Sequence, residues 1–324
     1  MKPKCTKEMY TLYVLSEPGQ ASCNKFAEVM GDMSHDAVTR FLHREQFTAR
    51  DLFDENREYL HVEGCQLQID DTVISKPFSV EAYNDLIRYQ YSGREHRVVK
   101  GIGLVTIFCT DKEGRRFPVN FRIFGKDSKT TKNDLLREMV DELLEWGIKP
   151  AIVSGDSWYS GLENLKYFRS QGIAWAFGIK SNRIVSETAH NQQQVQELSL
   201  PAEGKVVYLK GYGMVKVFRR ESRNGAPNHY AVSLIATSDE EFTEYHRRHW
   251  DIEEYHRVLK QVCNLDGCML REKQGQLTHF FCCLRGYSLL EKGVIMGNLH
   301  NWYRLRRELF TVAMRNFILQ SSFT

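Results

Sequence analysis

The chain has 324 residues, of which 42% are hydrophobic, and a net charge of +3. That length implies about two domains, and that apolar content is enough for packed cores, which excludes a disordered or low-complexity chain. The near-neutral total does not by itself announce a nucleic-acid partner, and the distribution of charge says more.

Residues 1–60 read as helical. A first helix over residues 7–16 is stopped by Pro18 and Gly19. Ser22 caps a second over 23–30, ended by Gly31, and Ser34 caps a third over 35–43. Phe26, Met30, Met33, Val38, Phe41 and Leu42 have the spacing of two short helices packed across a turn. This is a helix-turn-helix pattern with Thr39 and Arg40 on the exposed side of its second helix. An ordinary helical subdomain shows the same spacing. Residues 1–60 carry eight basic and ten acidic side chains, which counts against strong DNA binding by this part alone. A helix over about 50–60 leads onward.

From Gln66 the pattern is strand-rich. Residues 66–74, QLQIDDTVI, alternate apolar and polar and hold Asp70 and Asp71 mid-strand. Strands follow over 100–109 and 117–124, joined by a turn at 111–114. Residues 131–146 have helical periodicity. AIVSGD at 151–156 reads as a buried parallel strand with Asp156 at its C-terminal end, where ligands of open α/β sheets sit. A helix over 162–171 and a strand over 173–179 complete an α/β sheet. Eleven Lys or Arg against four Asp or Glu between positions 88 and 132 form a basic stretch suited to phosphate.

Residues 183–239 break the pattern. They open on a Gln-rich piece at 190–196 and continue as strand-like runs at 205–209, 214–219 and 229–237. Gly211 and Gly213 mark one turn, and Asn224, Gly225 and Pro227 another. Residues 245–261, YHRRHWDIEEYHRVLKQ, then read as a helix whose buried stripe is Phe242, Tyr245, Ile252, Tyr255 and Leu259. Glu253 lies at the edge of that stripe, with His249 and Lys260 on its flank. Two more helices are expected over 274–299 and 301–319. The eight cysteines include no C-x2-C pair, so they read as reduced thiols of a cytosolic protein rather than zinc ligands. The apolar stretch 280–299 holds Arg285, Glu291 and Lys292 and is not a membrane span.

Five ordered motifs carry a family resemblance: IDDT at 69–72, QYSG at 90–93, GDSWYSG at 155–161, IKSNR at 179–183 and RHWDIEEYHRVLKQ at 248–261. The chain resembles DDE transposases of bacterial insertion sequences, and within them the IS-four superfamily, whose third acid lies in a Tyr-x2-Arg-x3-Glu-x6-Lys signature. The resemblance implies an α/β, ribonuclease-H-like catalytic domain over 61–183 and 240–273. It also implies a helical DNA-binding region over 1–60, a β-rich insertion over 184–239 that contacts DNA ends, and C-terminal helices over 274–324.

Carried over residue by residue, the metal-binding catalytic triad falls on Asp70, Asp156 and Glu253. Two Mg²⁺ (or Mn²⁺) ions about 3.5–4 Å apart would activate the attacking oxygen and relieve charge on the leaving one, and carboxylates are the hard ligands Mg²⁺ prefers. Asp71 rivals Asp70, since the two point to opposite faces of a strand; the family's Asp-x-Thr pattern selects Asp70 with Thr72. Lys260 is expected on a phosphate. Trp250 would stack on a base or pack on the insertion, and Lys180 and Arg183 follow a strand end from which they could reach DNA. The implied partners are double-stranded element ends and target DNA, held by a homodimer in the bacterial cytoplasm. Other readings are a ribonuclease-H-like nuclease outside transposition and a DNA-binding regulator that has lost catalysis.

One departure from the signature stands out. Counting back from Glu253, Arg is expected at 249 and Tyr at 246, and both positions are His. Tyr245 and Arg248 each lie one position too early, a rotation of about 100° on a regular helix. A π-bulge before Glu253 would return them to the site. A regular helix, which needs no special geometry, gives the phosphate-binding role to His249, with or without His246, when protonated.

Overall fold

The computed structural model describes residues 5–80, 84–93, 95–125, 130–188, 191–221, 225 and 227–320. Alternation over residues 66–75 builds the central strand, β1 (Gln66–Ser75). It pairs antiparallel with β3 (Arg97–Thr110) and parallel with β5 (Ile152–Gly155). The other side of β3 takes β2 (Arg88–Ser92) and then β4 (Arg116–Phe124) along successive stretches. β6 (Ala174–Ile179) lies parallel to β5. The strand β2 was not expected from the sequence. The turn between β3 and β4 is closed by Gly114 at φ 80°, a left-handed conformation that glycine adopts without strain.

The segment expected as a β-rich insertion extends this same sheet. Its strands are β7 (Ile184–Ser186), β8 (Gln192–Gln194), β9 (Lys205–Leu209), β10 (Gly213–Glu221) and β11 (Pro227–Val232). β11 pairs antiparallel with β6, giving the order β2-β3-β1-β5-β6-β11-β10-β9-β7-β8 with β4 on β3. The short strands β7 and β8 were not foreseen. The run expected over 229–237 leaves the sheet at Val232. Of the marked turn residues, Asn224 lies outside the described residues, as does His190 of the Gln-rich piece.

Helices cover both faces. On one lie α5 (Lys132–Glu145) and α6 (Leu162–Ser170), sharing a core with Leu67, Ile69, Val105 and Ile107. On the other lie α7 (Asp239–Gln261) and α8 (Lys273–Ile295), which meet Ile74, Ile102, Leu104 and Phe108. That second core also takes in the N-terminal helices α1 (Lys7–Ser16), α2 (Cys23–Met30) and α3 (His35–Arg44). Tyr10, Tyr13, Phe26 and Phe41 pack there with Ile252, Tyr255 and Phe280. Ser22 and Ser34 cap α2 and α3 as their sequence predicts, each side chain accepting a backbone N–H. After α4 (Ala49–Asn56) the chain enters the sheet, and α9 (Trp302–Gln320) closes it. All eight cysteines are free, and no helix among the described residues is long and apolar enough to cross a membrane.

Candidate active site

Successive side chains of β1 leave on opposite faces, and this fixes which aspartate meets α7. Gln66 Nε2 donates to the Tyr245 carbonyl at 2.9 Å, and Gln68 Nε2 donates to the Arg248 carbonyl at 3.2 Å. Asp70 continues the row, its Oδ2 lying 3.3 Å from His256 Nδ1. Four strand residues advance about 13 Å and eleven helical residues about 16 Å, so β1 and α7 run side by side along this seam. The alternate positions face away from α7, although Asp71 still reaches the wall of the same cleft. Asp71 lies beyond Leu67 and Ile69, paired with Lys132 Nζ at 2.5 Å and accepting from the Tyr159 hydroxyl at 3.0 Å.

Strand register brings up the second acid. Ile69 pairs with Gly155, the last residue of β5, so the residues that follow each, Asp70 and Asp156, meet at that strand end. Only glycine fits before Asp156: a Cβ at Gly155 would lie 2.7 Å from both Ile69 Cγ2 and Phe177 Cε1. The Trp158 amide donates to Asp156 Oδ1 at 2.9 Å and orients it. Glu253 of α7 opens on the same side. Asp70, Asp156 and Glu253 line one cleft of about 1440 Å³ together with His256, Arg257 and Lys260.

The three acids are electrostatically linked. Burial alone would raise the Asp70 carboxyl, but the hydrogen bond and charge of His256, with the Asp71 amide, outweigh it, holding Asp70 below its ordinary range. Asp156 is pushed up to about 6, by desolvation first and the Asp70 charge second, against the Trp158 amide. Glu253 is raised by the same two causes, opposed by His256 and Arg257. Among the described residues, no three His, Cys, Asp or Glu side chains are gathered closely enough to enclose an ion. The donor chemistry nevertheless fits a divalent cation. Three hard oxygen ligands face one cleft, and the charge of one disfavours ionisation of the other two.

The helix α7 is regular along its whole length, with no π-bulge before Glu253. Tyr245 and Arg248 therefore stay off the cleft. The Arg248 guanidinium donates to Glu244 at 2.7 Å and to the Asp111 carbonyl at 3.3 Å. The expected cationic role of His249 is not supported. Burial pushes its imidazole down to about 4, so it is neutral at physiological pH, and its Nδ1 is buried without a partner. His246 is likewise lowered by burial and sits 3.0 Å from the Tyr230 hydroxyl of β11. Lys260 does line the cleft, donating to the Val73 carbonyl at 2.8 Å. Trp250 is half exposed and is not among the lining residues. Lys180 is exposed just beyond β6, and Arg183 donates to the Ser160 carbonyl at 3.3 Å, in the loop that follows Asp156. On α3, Arg40 is exposed and the Thr39 hydroxyl donates to the His35 carbonyl at 3.0 Å.

The basic stretch over 88–132 does not form the free patch that counting suggests. Arg97, Arg115, Arg116, Arg122 and Lys132 are paired with Glu95, Glu113, Asp251, Glu142 and Asp71. Arg88 lies over the Phe124 ring at 4.5 Å. Arg94, Lys126 and Lys129 lie outside the described residues. Sequence reasoning also left several cleft residues without a role: His256, Arg257, Tyr89, Tyr91 and Trp158. The QYSG and GDSWYSG motifs pointed to the last two.

The fold is similar to that of piggyBac transposase in a synaptic complex with hairpin DNA. The TM-score is 0.52 at 12% identity, covering 98% of this chain and 72% of that one. A Drosophila P element transposase in a strand transfer complex aligns over 59% of this chain and 41% of that one, at 15% identity. Its TM-score of 0.29 is too low to carry an argument. No curated protein matches significantly in sequence. Residues 64–289 match the transposase DDE domain, a span from just before β1 through most of α8 that includes Asp70, Asp156 and Glu253. That match covers more than half of the chain, which therefore belongs to the transposase DDE domain family and is a DNA transposase of the DDE type.

Proposed function

We propose that this transposase binds the ends of a bacterial insertion sequence of the IS-four branch and cuts and joins DNA at Asp70, Asp156 and Glu253. The observation that carries this reading is the shared cleft in which burial first, and an ionised Asp70 second, raise the other two acids. Asp70, Asp156 and Glu253 would hold two Mg²⁺ or Mn²⁺ ions. Bound there, such ions supply activation of the attacking oxygen and charge relief on the leaving oxygen. His256 holds Asp70 oriented toward α7, and the Trp158 amide does the same for Asp156. Lys260 leaves the Val73 carbonyl to meet a phosphate of the cleaved strand. Lys180 and Arg183, beyond the neighbouring strand end, bind the backbone further along.

The strand order around β1 supports a ribonuclease-H-like catalytic domain, with three antiparallel strands followed by two parallel ones. Exposed Arg40, with Thr39, contacts end sequence from α3, and the strands β7–β11 flank the same DNA. The active assembly is a homodimer holding paired ends on bacterial cytoplasmic DNA.

The test needs the element's own ends, recognisable as inverted repeats flanking the gene. Mg²⁺-dependent cleavage of an end-bearing duplex is measured beside gel-shift binding for Asp70→Asn, Asp156→Asn and Glu253→Gln. Each is expected to lose cleavage below detection while binding and folding persist. Full cleavage by any of the three contradicts the proposal.

A further inference from the structure

The C-terminal helix α9 is buried at its first residue and open further along. Asn301 Oδ1 accepts the Tyr303 amide at 2.9 Å and starts the helix. Trp302 is only 7% exposed, whereas Phe310, Met314 and Ile318 are exposed. The Trp302 ring lies against the Arg116 guanidinium, its centroid 5.0 Å from Cζ. The Tyr287 ring of α8 meets Trp302 edge-on at 5.5 Å, and Tyr287 also meets the Tyr255 ring of α7 at 4.8 Å.

Arg116 of β4 uses one nitrogen for two acids of α7. Its Nη1 donates to Asp251 Oδ1 at 3.2 Å and to Glu254 Oε2 at 2.7 Å, and its Nε lies 3.6 Å from Glu291 Oε1 of α8. Three residues apart, Asp251 and Glu254 share one flank of the helix. Glu253 stands about 100° around the helix from Glu254 and lines the cleft.

The hydrogen bonds that seat α7 on β1 end on backbone carbonyls, those of Tyr245 and Arg248, close to the helix axis. They oppose sliding and have little leverage on roll. The bonds from Arg116 end on side-chain tips, where leverage is greatest. A roll of about 10° carries a group about 5–6 Å from the axis through about 1 Å. Groups that share a ligand must be held to within about 0.5 Å. The planar guanidinium reaches both acids only in one orientation, and the ring packed against it holds that orientation.

We propose that Trp302 is a positioning residue for the acid site: by holding the Arg116 guanidinium it fixes the roll of α7, and so the place of Glu253 in the cleft. The inference rests on the reading of Glu253 as a metal ligand. It adds that the start of the C-terminal helix, outside the cleft, sets how well that ligand is placed.

The test reads metal binding by the full chain without DNA, as the Mn²⁺ concentration that gives half of the full rise in melting temperature. Trp302→Ala is expected to need about ten-fold more Mn²⁺ than the wild type. Trp302→Phe keeps a ring against the guanidinium and is expected to stay within about two-fold. Arg116→Lys keeps the charge but not the planar fork, and is expected to shift the half-point about as far as Trp302→Ala. Met314→Ala, on the open part of α9, should match the wild type. In cleavage, Trp302→Ala should lower the rate at saturating end-bearing duplex and leave the duplex concentration for half-maximal rate unchanged. A lower metal-free melting temperature with a wild-type Mn²⁺ half-point, in Trp302→Ala or in Arg116→Lys, means packing alone and overturns this inference. Should Trp302→Ala fail to fold, the Arg116→Lys half-point decides in the same way. No Mn²⁺-dependent rise in the wild type overturns the inference together with the metal-ligand reading on which it rests.

Discussion

On one flank of α7, Asp251 and Glu254 share the Arg116 guanidinium at 3.2 and 2.7 Å, with Glu291 of α8 at 3.6 Å and the Trp302 ring over it at 5.0 Å. On the other flank, Glu253 faces Asp70 and Asp156 across an open cleft. Both flanks concentrate acids against one helix. The first supplies a buried cation and knits α7, α8 and β4 together. The second leaves carboxylates close enough to oppose one another's ionisation. The first arrangement holds the helix in place, and the second keeps ligand oxygens available at a cost to the free protein. A hydrogen-bonded row joins the two. Gln68 donates to Thr110 and Thr110 donates to Asp251, so the seat of α7 on β1 is tied to the Arg116 cluster.

Removing the cation should break the comparison most strongly. Arg116→Ala leaves Asp251 and Glu291 buried and uncompensated, and is expected to destabilise the fold by about 3 kcal/mol at neutral pH in denaturant unfolding. Burial already pushes Glu291 up to about 7 against the pull of Arg116, so protonation relieves the variant. Its deficit should shrink as pH is lowered from 8 to 5. A deficit independent of pH would mean that packing, not charge, holds the cluster.

A smaller effect, of opposite sign, is expected on the cleft side. The folded carboxyl of Asp156, raised to about 6 from an ordinary 3.8, binds a proton more tightly than the unfolded one. Its contribution is therefore fully favourable below about pH 4 and is lost as pH rises through about 6. Asp156→Asn should flatten that loss and raise the melting temperature of the metal-free protein at pH 7. Because the residue is open to the cleft, solvent screens the repulsion and the gain is modest. A lower melting temperature in this variant would show that Asp156 is structurally satisfied.

The least consequential acid should be Asp71. Its pair with Lys132 is partly exposed, so Asp71→Asn is expected to cost less than about 1 kcal/mol and to leave cleavage intact. Loss of cleavage in this variant, with Asp70→Asn active, would reverse the assignment of the two aspartates.

Much of this was legible because local chemistry and tertiary packing agree. The caps Ser22 and Ser34, the stripe of α7 and the glycine before Asp156 each follow from a pattern a few residues long. Four features were not. The basic stretch looked free because, beyond the local partners Glu95 and Glu113, the acids of Arg116 and Arg122 come from far along the chain, at 142, 251, 254 and 291. Gln66 and Gln68 look like solvent-facing positions of an alternating strand, yet they are buried and bonded to α7 carbonyls. The N-terminal helices looked separable, yet they share a core with α7 and α8, and only tertiary contact reveals it. The protonation of His249 depended on burial, which a helix pattern does not report.

The most direct test of the central claim is metal binding without DNA or turnover, read as the Mn²⁺ dependence of the melting temperature. At a hundredfold excess over Kd, the wild type should rise by about 5 °C. Asp71→Asn should rise equally, while Asp70→Asn and Glu253→Gln lose most of the rise. No rise in the wild type, or the same rise in Asp70→Asn as in Asp71→Asn, would contradict the assignment of the cleft acids as the metal ligands.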